Sequence, residues 1–549
     1  MPESQPAITA EQIAAAETLL ALDFSPAQRE QMLEIVNGRR EQYGLIRAAE
    51  LDNSVPLSLN FNVNAADPAP AAVPRAYAMS PQPQVTRPAD LEEAAFLPVP
   101  QLAELMRSRQ VTSRELTEMY LNRLKRYDPA LECVAAYTEE LAYEQAARAD
   151  DEIARGLYRG PLHGVPWGAK DLLATRGYPT QWGAAPYEGQ VLDVEATVVQ
   201  RLEAAGAVLI AKLTLGALAN GDVWYGGTTK NPWDTSEGSS GSSAGPGAAT
   251  AAGLVGFSIG SETMGSIVSP STRCGVSGLR PTYGGVSRYG AMALSWSMDK
   301  LGPMCRSVED CALVFSAIYG PDGRDMTISP APFTWDPALD PHGLRIGYVA
   351  SAFEAAHAGE TDAHHRPEGE ELERVNQVNS AAVLNVMRAQ GFELKSIELP
   401  ATEISGLWMI LAAEAAAAFD QITRDGSVDS MKRQDDSAWP NVFRAARFIP
   451  AVEYINANRV RAQLMRDMAQ LMADVDVFIS PSYGGTTLQI TNFTGHPTVV
   501  VPNGFTDRGT PTSITFVGGL YKEAETLAVA KAYQDGADWH RQYPDLDAL

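Results

Sequence analysis

Four serines fall within five positions, Ser239, Ser240, Ser242 and Ser243, and a later serine, Ser266, again sits among small residues. The stretch between them, Ala248 to Gly260, carries no charge and mixes Ala, Gly, Val and Phe. A flexible Gly/Ser linker would continue in polar residues, so the pattern predicts a buried helix running into a buried strand, with polar turns left facing a site. A serine hydroxyl attacks a carbonyl only after a base takes its proton, and the resulting oxyanion needs hydrogen-bond donors. No histidine lies in either serine turn, so a Ser-His-Asp arrangement has no local base. Nucleotide chemistry is disfavoured: no G-x-G-x-x-G follows a strand and no G-K-[ST] ends a loop.

The motifs resemble those of the amidase signature family. The turn Ser240-Gly241-Ser242-Ser243-Ala244-Gly245 is similar to its glycine–serine motif, and Gly260-Ser261-Glu262-Thr263-Met264-Gly265-Ser266 to its second serine motif. Upstream, HGVPWGAKDLLATRG (His163 to Gly177) is similar to its lysine segment and sets Lys170 beside Asp171. The resemblance covers roughly residues 92–545. It implies a mixed central β-sheet surrounded by helices and hydrolysis of an amide through an acyl-enzyme. Lys170 would be the base, Ser242 (in a cis peptide) the proton relay and Ser266 the nucleophile. Backbone N–H groups of Thr263, Met264 and Gly265, leading into that of Ser266, would form the oxyanion hole. Gly241 and Ser243 would hold the turn. The family gives no role to the position of His163.

This reading demands a neutral lysine. Bringing its pKa from about 10.4 to about 7 requires roughly 4–5 kcal/mol against the ammonium form, which burial can supply. Asp171 would oppose this, so its side chain is expected to point elsewhere, onto backbone or a helix end. Three positions depart from the family pattern: Glu262 replaces the usual aspartate, Met264 a glycine and Val268 an arginine. The hole survives if Met264 keeps an allowed φ.

The substrate expected is a small-molecule amide. Gly216, Ala217 and Ala219 leave room beside the site, and Trp224 and Tyr225 either stack on the substrate or pack in the core. Esters and carbamates yield to the same nucleophile. A glutaminase-type subunit of a tRNA-dependent amidotransferase is a second reading, because NPWD (231–234) and PTYGGVSRYG (281–290) resemble that branch. A non-enzymatic interaction protein that keeps the fold without turnover is a third.

The elements that position these residues are legible in the patterning. The chain is expected to be α/β, with strands alternating with helices. Residues 1–64 form a small helical appendage, 65–91 a Pro/Ala-rich linker or strap, and 92–549 the main domain. Thr9 with Gln12, Ser25 with Gln28 and Thr112 with Glu115 have capping-box spacing, and Pro26 suits a first helical position. The appendage is expected to pack on the main domain or on a second copy, which leaves a homodimer open. Residues 205–213, 343–350, 474–482, 494–502 and 512–519 read as strands.

The chain has 549 residues, 43 basic against 67 acidic, for a net charge of −24. Such a surface repels phosphate backbones, which disfavours nucleic acid as a partner. Cys133, Cys274, Cys305 and Cys311 lack metal-binding spacing and are expected to be reduced and buried. His357, His364 and His365 lie in an acidic stretch, 355–371, read as a solvated loop, so no metal and no cofactor is expected. The most apolar window, Gly406 to Phe419, is broken by Glu414 and is too short to span a bilayer. With no secretory pattern at the start, a cytoplasmic location is expected.

Overall fold

The computed structural model describes residues 6–49, 59, 75–81, 85–354 and 370–548. The acidic stretch with His357, His364 and His365 and most of the expected linker lie outside the described residues. Two compact units emerge, and they divide the chain differently from the sequence-based boundaries: Met1–Phe61 groups with Ala293–Ser297 and Pro400–Met468, and the rest of the chain forms the second unit.

In the first unit the expected capping boxes form. Gln12 N–H donates to Thr9 Oγ1 and Thr9 N–H to the Gln12 side chain, starting the helix Ala10–Leu20. Ser25 and Gln28 do the same for Pro26–Ala48, with proline in its first turn. Ile13, Phe24, Met32 and Val36 bury themselves with Ala445 of the helix Trp439–Ala446, and Phe448 packs against that cluster. Polar contacts follow the same seam: Gln31 Nε2 donates to Gln434 O at 2.6 Å and Tyr43 OH to Phe448 O at 3.2 Å.

The apolar window becomes the helix Trp408–Ala418, and its one charge has a partner set. Buried Glu414 accepts from Ser295 Oγ (2.6 Å), Ser297 N (3.0 Å), Ser297 Oγ (2.8 Å) and Tyr454 OH (2.8 Å). Those bonds, with the donations of Arg461 to Ser297 Oγ at 2.9 Å and Ser297 O at 2.8 Å, tie Ala293–Ser297 into this unit. No described helix is long and apolar enough to cross a membrane.

The second unit is built on an eleven-stranded mixed sheet. In spatial order its strands are Leu394–Ile397, Ile346–Val349, Val477–Pro481, Pro511–Gly518, Thr498–Phe505, Ser277–Arg280, Lys300–Cys305, Phe257–Glu262, Pro166–Lys170, Val208–Leu213 and Val134–Tyr137. Phe257–Glu262 runs parallel to Pro166–Lys170, which runs parallel to Val208–Leu213. The central strands are buried along their whole length, as near-continuous apolar runs such as VLIAKL, broken only by Lys212, require when both faces are covered. Helices flank them; Ala244–Ala251 is buried at every residue, which its run of Ala and Gly makes possible.

This topology places the chemistry. Lys170 and Glu262 are each the last residue of a strand, and the two strands are parallel, so both project at the same carboxyl edge of the sheet. Open α/β sheets bind ligands at that edge.

Candidate active site

Lys170 lies at the end of its strand with no solvent exposure. Its Nζ lies within hydrogen-bond distance of three hydroxyls: Ser242 Oγ at 2.8 Å, Ser243 Oγ at 3.0 Å and Ser261 Oγ at 2.9 Å. Among the described residues, no carboxylate pairs with it. Burial pushes its pKa well below the ordinary lysine range, against the weaker pull of the Asp299 and Glu262 charges. Three neutral hydroxyls hold the amine without neutralising a charge on it, which is the environment a lysine base needs.

Asp171 turns away, as expected, but onto partners the sequence did not single out. Its Oδ1 accepts from Lys212 Nζ at 2.9 Å and its Oδ2 from the Gln181 N–H at 2.9 Å. Lys212 is itself fully buried and also donates to Thr180 Oγ1 at 2.8 Å. The adjacent carboxylate is thereby occupied by a second lysine, with backbone at its other oxygen and no helix end involved. His163 is likewise engaged elsewhere: the Arg159 N–H donates to its Nδ1 at 3.2 Å, and the Glu152 carboxylate lies 3.0 Å from Nε2.

The serine turn precedes the helix Ala244–Ala251. The peptide bond between Gly241 and Ser242 is cis. Ser243, expected to hold the turn, bonds both the lysine and the second serine motif. Its hydroxyl donates to Ser261 O at 3.1 Å and accepts from Ser261 N–H at 3.1 Å, while also receiving the lysine. Its backbone N–H donates to Ser266 O at 3.2 Å, which ties the two serine motifs together. The neighbouring loop is wedged against the turn: Ser240 N–H donates to Asp222 Oδ2 at 3.0 Å.

Gly241 is required there for space. A Cβ at that position would stand 1.8 Å from Gly221 O and 2.4 Å from its carbonyl carbon, both rigid backbone atoms. Gly241→Ala is therefore expected to displace the Ser242 turn, lowering stability by about 1–3 kcal/mol, as overpacking does. Activity should fall by at least about 10²-fold, the scale set by a 1 Å misplacement. Thermal melting and single-turnover kinetics on the same preparation check both.

Ser266 is half-buried, in the loop between Phe257–Glu262 and the helix Val268–Cys274. Among the described residues, none hydrogen-bonds its hydroxyl, and none accepts from the N–H groups of Thr263, Met264, Gly265 or Ser266. Gly265 carries φ +114°, which glycine alone tolerates, and Met264 keeps a negative φ. The methionine that replaces the family glycine thus costs the loop nothing in backbone geometry.

The departures at 262 and 268 are linked through a cation on another strand. Glu262 is fully buried and accepts from Arg280 Nη1 at 2.7 Å, a partner that the sequence left unmarked. Burial alone would raise its pKa, but Arg280, then Lys300 and hydrogen bonds, carry it below the usual carboxylate value. Of the missed participants, Ser261 stands inside the second serine motif and Arg280 directly before PTYGGVSRYG, and those positions were the available signal.

The segment expected to wall the substrate is also brought to this edge. Leu218 N–H donates to Trp182 O at 2.9 Å and Tyr225 N–H to Gly183 O at 2.9 Å, while Trp182 N–H donates to Asp171 O at 3.3 Å. Trp224 and Tyr225 meet edge to face with centroids 5.0 Å apart. All four cysteines are free and buried. Among the described residues, no cluster of three His, Cys, Asp or Glu is placed to hold a metal.

Known proteins resemble this chain over most of its length. The family model described as Amidase matches residues 115–494. A glutamyl-tRNA(Gln) amidotransferase subunit of Chloroflexus aggregans is 33% identical over 501 residues, covering 83% of this chain and 99% of its own. The native peptide amidase of Stenotrophomonas maltophilia superposes with a TM-score of 0.70 at 28% identity, over 83% of this chain and 100% of its own. A bacterial aryl acylamidase of the amidase signature family shares the fold, with a TM-score of 0.71 at 21% identity over 81% and 97% of the two chains. On the family match and the length of these alignments, the chain belongs to the amidase signature family, enzymes acting on carbon–nitrogen bonds.

Proposed function

We propose that the chain hydrolyses a small-molecule amide, with Ser266 as nucleophile, Ser242 as proton relay and Lys170 as base. The observation that carries this reading is a fully buried lysine whose Nζ stands 2.8 Å from Ser242 Oγ, with no carboxylate among the described residues paired to it. As the Ser266 oxygen bonds to the carbonyl carbon, its proton passes to Ser242, whose own proton passes to the neutral Lys170. The oxyanion is received by N–H groups of Thr263, Met264, Gly265 and Ser266. When the tetrahedral adduct collapses, the same two groups return a proton to the departing amine. Water then attacks the acyl ester by the reverse path and frees Ser266.

The second reading, a glutaminase subunit passing ammonia to a partner, is favoured by the likeness to the Chloroflexus amidotransferase protein. A panel of aliphatic amides, aryl amides, aryl esters, carbamates and glutamine separates the two. The amide-hydrolase reading expects turnover of a non-glutamine amide by the chain alone. Ammonia release from glutamine that appears only with added partner subunits would overturn it. Preferential turnover of aryl substrates would assign the Trp224–Tyr225 pair to the substrate wall.

A further inference from the structure

The loop that carries the nucleophile is closed on itself by one side chain. Glu262 stands at its start, and Glu262 Oε2 reaches forward to accept the N–H groups of Ile267 at 2.8 Å and Val268 at 2.9 Å. Those are the two donors that follow Ser266. Had they been free, the loop would present six consecutive N–H groups, 263 to 268, held only through its carbonyls and the Thr263 hydroxyl, as by Ser243 N–H on Ser266 O and Ser269 N–H on Gly265 O. With Glu262 in place, the last two are occupied and the four from Thr263 to Ser266 are left.

The other carboxylate oxygen is anchored from behind. Glu262 Oε1 accepts from Arg280 Nη1 at 2.7 Å and from Asn492 Nδ2 at 2.9 Å. Arg280 is fixed in turn by donating to His496 O at 2.9 Å and to Thr498 Oγ1. Asn492 Oδ1 accepts from Lys300 Nζ at 2.9 Å, and the same ammonium lies 3.5 Å from Thr263 O at the start of the loop. Glu262, Arg280 and Asn492 have no solvent exposure, and Lys300 is almost as deeply buried. A carboxylate held by four donors, one of them a buried guanidinium, does not swing.

We infer that Glu262 is a positioning residue for this reaction: wired to Arg280 and Asn492, it fixes the loop so that the N–H groups from Thr263 to Ser266 converge on the oxyanion. The inference rests on the amide-hydrolase reading of Ser266. Under this inference, the family's arginine at position 268 is dispensable to the loop. The longer side chain at 262 reaches both the loop and a cation on the adjacent part of the sheet, so the cation need not come from the loop itself. Arg280 supplies that cation from the end of its own strand, Ser277–Arg280.

The test uses the full chain and the best amide of the substrate panel. Glu262→Gln keeps shape but presents an NH₂ either to the two loop N–H groups or to Arg280, so one side of the network must open. The expected result is a folded protein with kcat down by roughly 10²-fold or more, the scale of losing an oxyanion donor. KM should change by less than about threefold, because a group acting only in the transition state leaves ground-state binding alone. A boronic acid, whose tetrahedral adduct needs the oxyanion donors, should lose affinity in parallel with kcat. A substrate analogue without an electrophilic carbonyl should not.

A folded Glu262→Gln protein with kcat and boronate affinity within about threefold of wild type would overturn the inference. If that variant does not fold, Asn492→Leu removes one anchor without stranding a charge on the loop; a kcat loss of about tenfold with unchanged KM supports the role, and an unchanged kcat overturns it. Failure of the amide-hydrolase reading itself would look different, because the unmutated protein would then neither turn over an amide nor bind the boronate.

Discussion

Ser266→Ala should lower kcat by on the order of 10⁶-fold, the loss that follows removal of a serine nucleophile in an otherwise intact site. The fold should be untouched, because the Ser266 hydroxyl bonds no described residue and its carbonyl, which accepts from Ser243 N–H, remains. Melting within a degree or two of wild type is therefore expected beside a near-complete loss of turnover. Residues that act as one device are not additive. Combining Ser266→Ala with Lys170→Ala should cost no more than the first change alone. A double variant much worse than Ser266→Ala would mean that the lysine serves some separate reaction.

Lys170→Ala should lower kcat by on the order of 10²–10⁴-fold, the usual contribution of a positioned base. Its signature lies in the pH profile. Lys170 accepts a proton only when neutral, so log(kcat/KM) should rise with slope one below its folded-state pKa and level off above it. Burial depresses that pKa well below the ordinary value, so the plateau should begin far below the roughly pH 10.4 at which a free lysine titrates. In Lys170→Ala the limb should vanish and the residual rate should lose this dependence.

Stability carries the same signature with a fixed sign. Between the depressed folded pKa and about 10.4, the unfolded chain holds a proton that the folded protein does not, so stability rises with pH across that window. Below the folded pKa both states are protonated and this group adds no slope. Denaturant midpoints of wild type and Lys170→Ala across the window check it, since only wild type should show the rise from this residue.

The sequence carried the elements whose signals are local. Capping boxes at Thr9, Ser25 and Thr112 begin the helices they predict, and Val208–Leu213, Val477–Pro481 and Pro511–Gly518 form where apolar runs are bounded by turns. The mixed sheet surrounded by helices, expected from the family resemblance, is the one observed. The bond from Lys170 to Ser242 spans 72 positions, and motif order alone made that pairing legible.

What stayed hidden depends on tertiary proximity. Asn492 meets Glu262 across 230 positions, and nothing in its own neighbourhood marks it. Lys212 reads as the one charge in a buried strand until the parallel register sets it against the segment that holds Asp171. The grouping of Met1–Phe61 with Pro400–Met468 has the same cause: the apolar stripe of a short helix says that it needs a cover, and the partner, Ala445 among others, lies some four hundred residues on.

The proposed mechanism rests on one step: buried Lys170 takes a proton through Ser242 so that Ser266 becomes a nucleophile. The most direct test is to treat the full-length protein with a fluorophosphonate, digest it and locate the adduct by mass spectrometry. The prediction is a single modified peptide with phosphorus on Ser266, formed faster as pH rises and formed slowly in Lys170→Ala. Modification of Ser242 or Ser243 in place of Ser266, or a rate indifferent to Lys170, would contradict it.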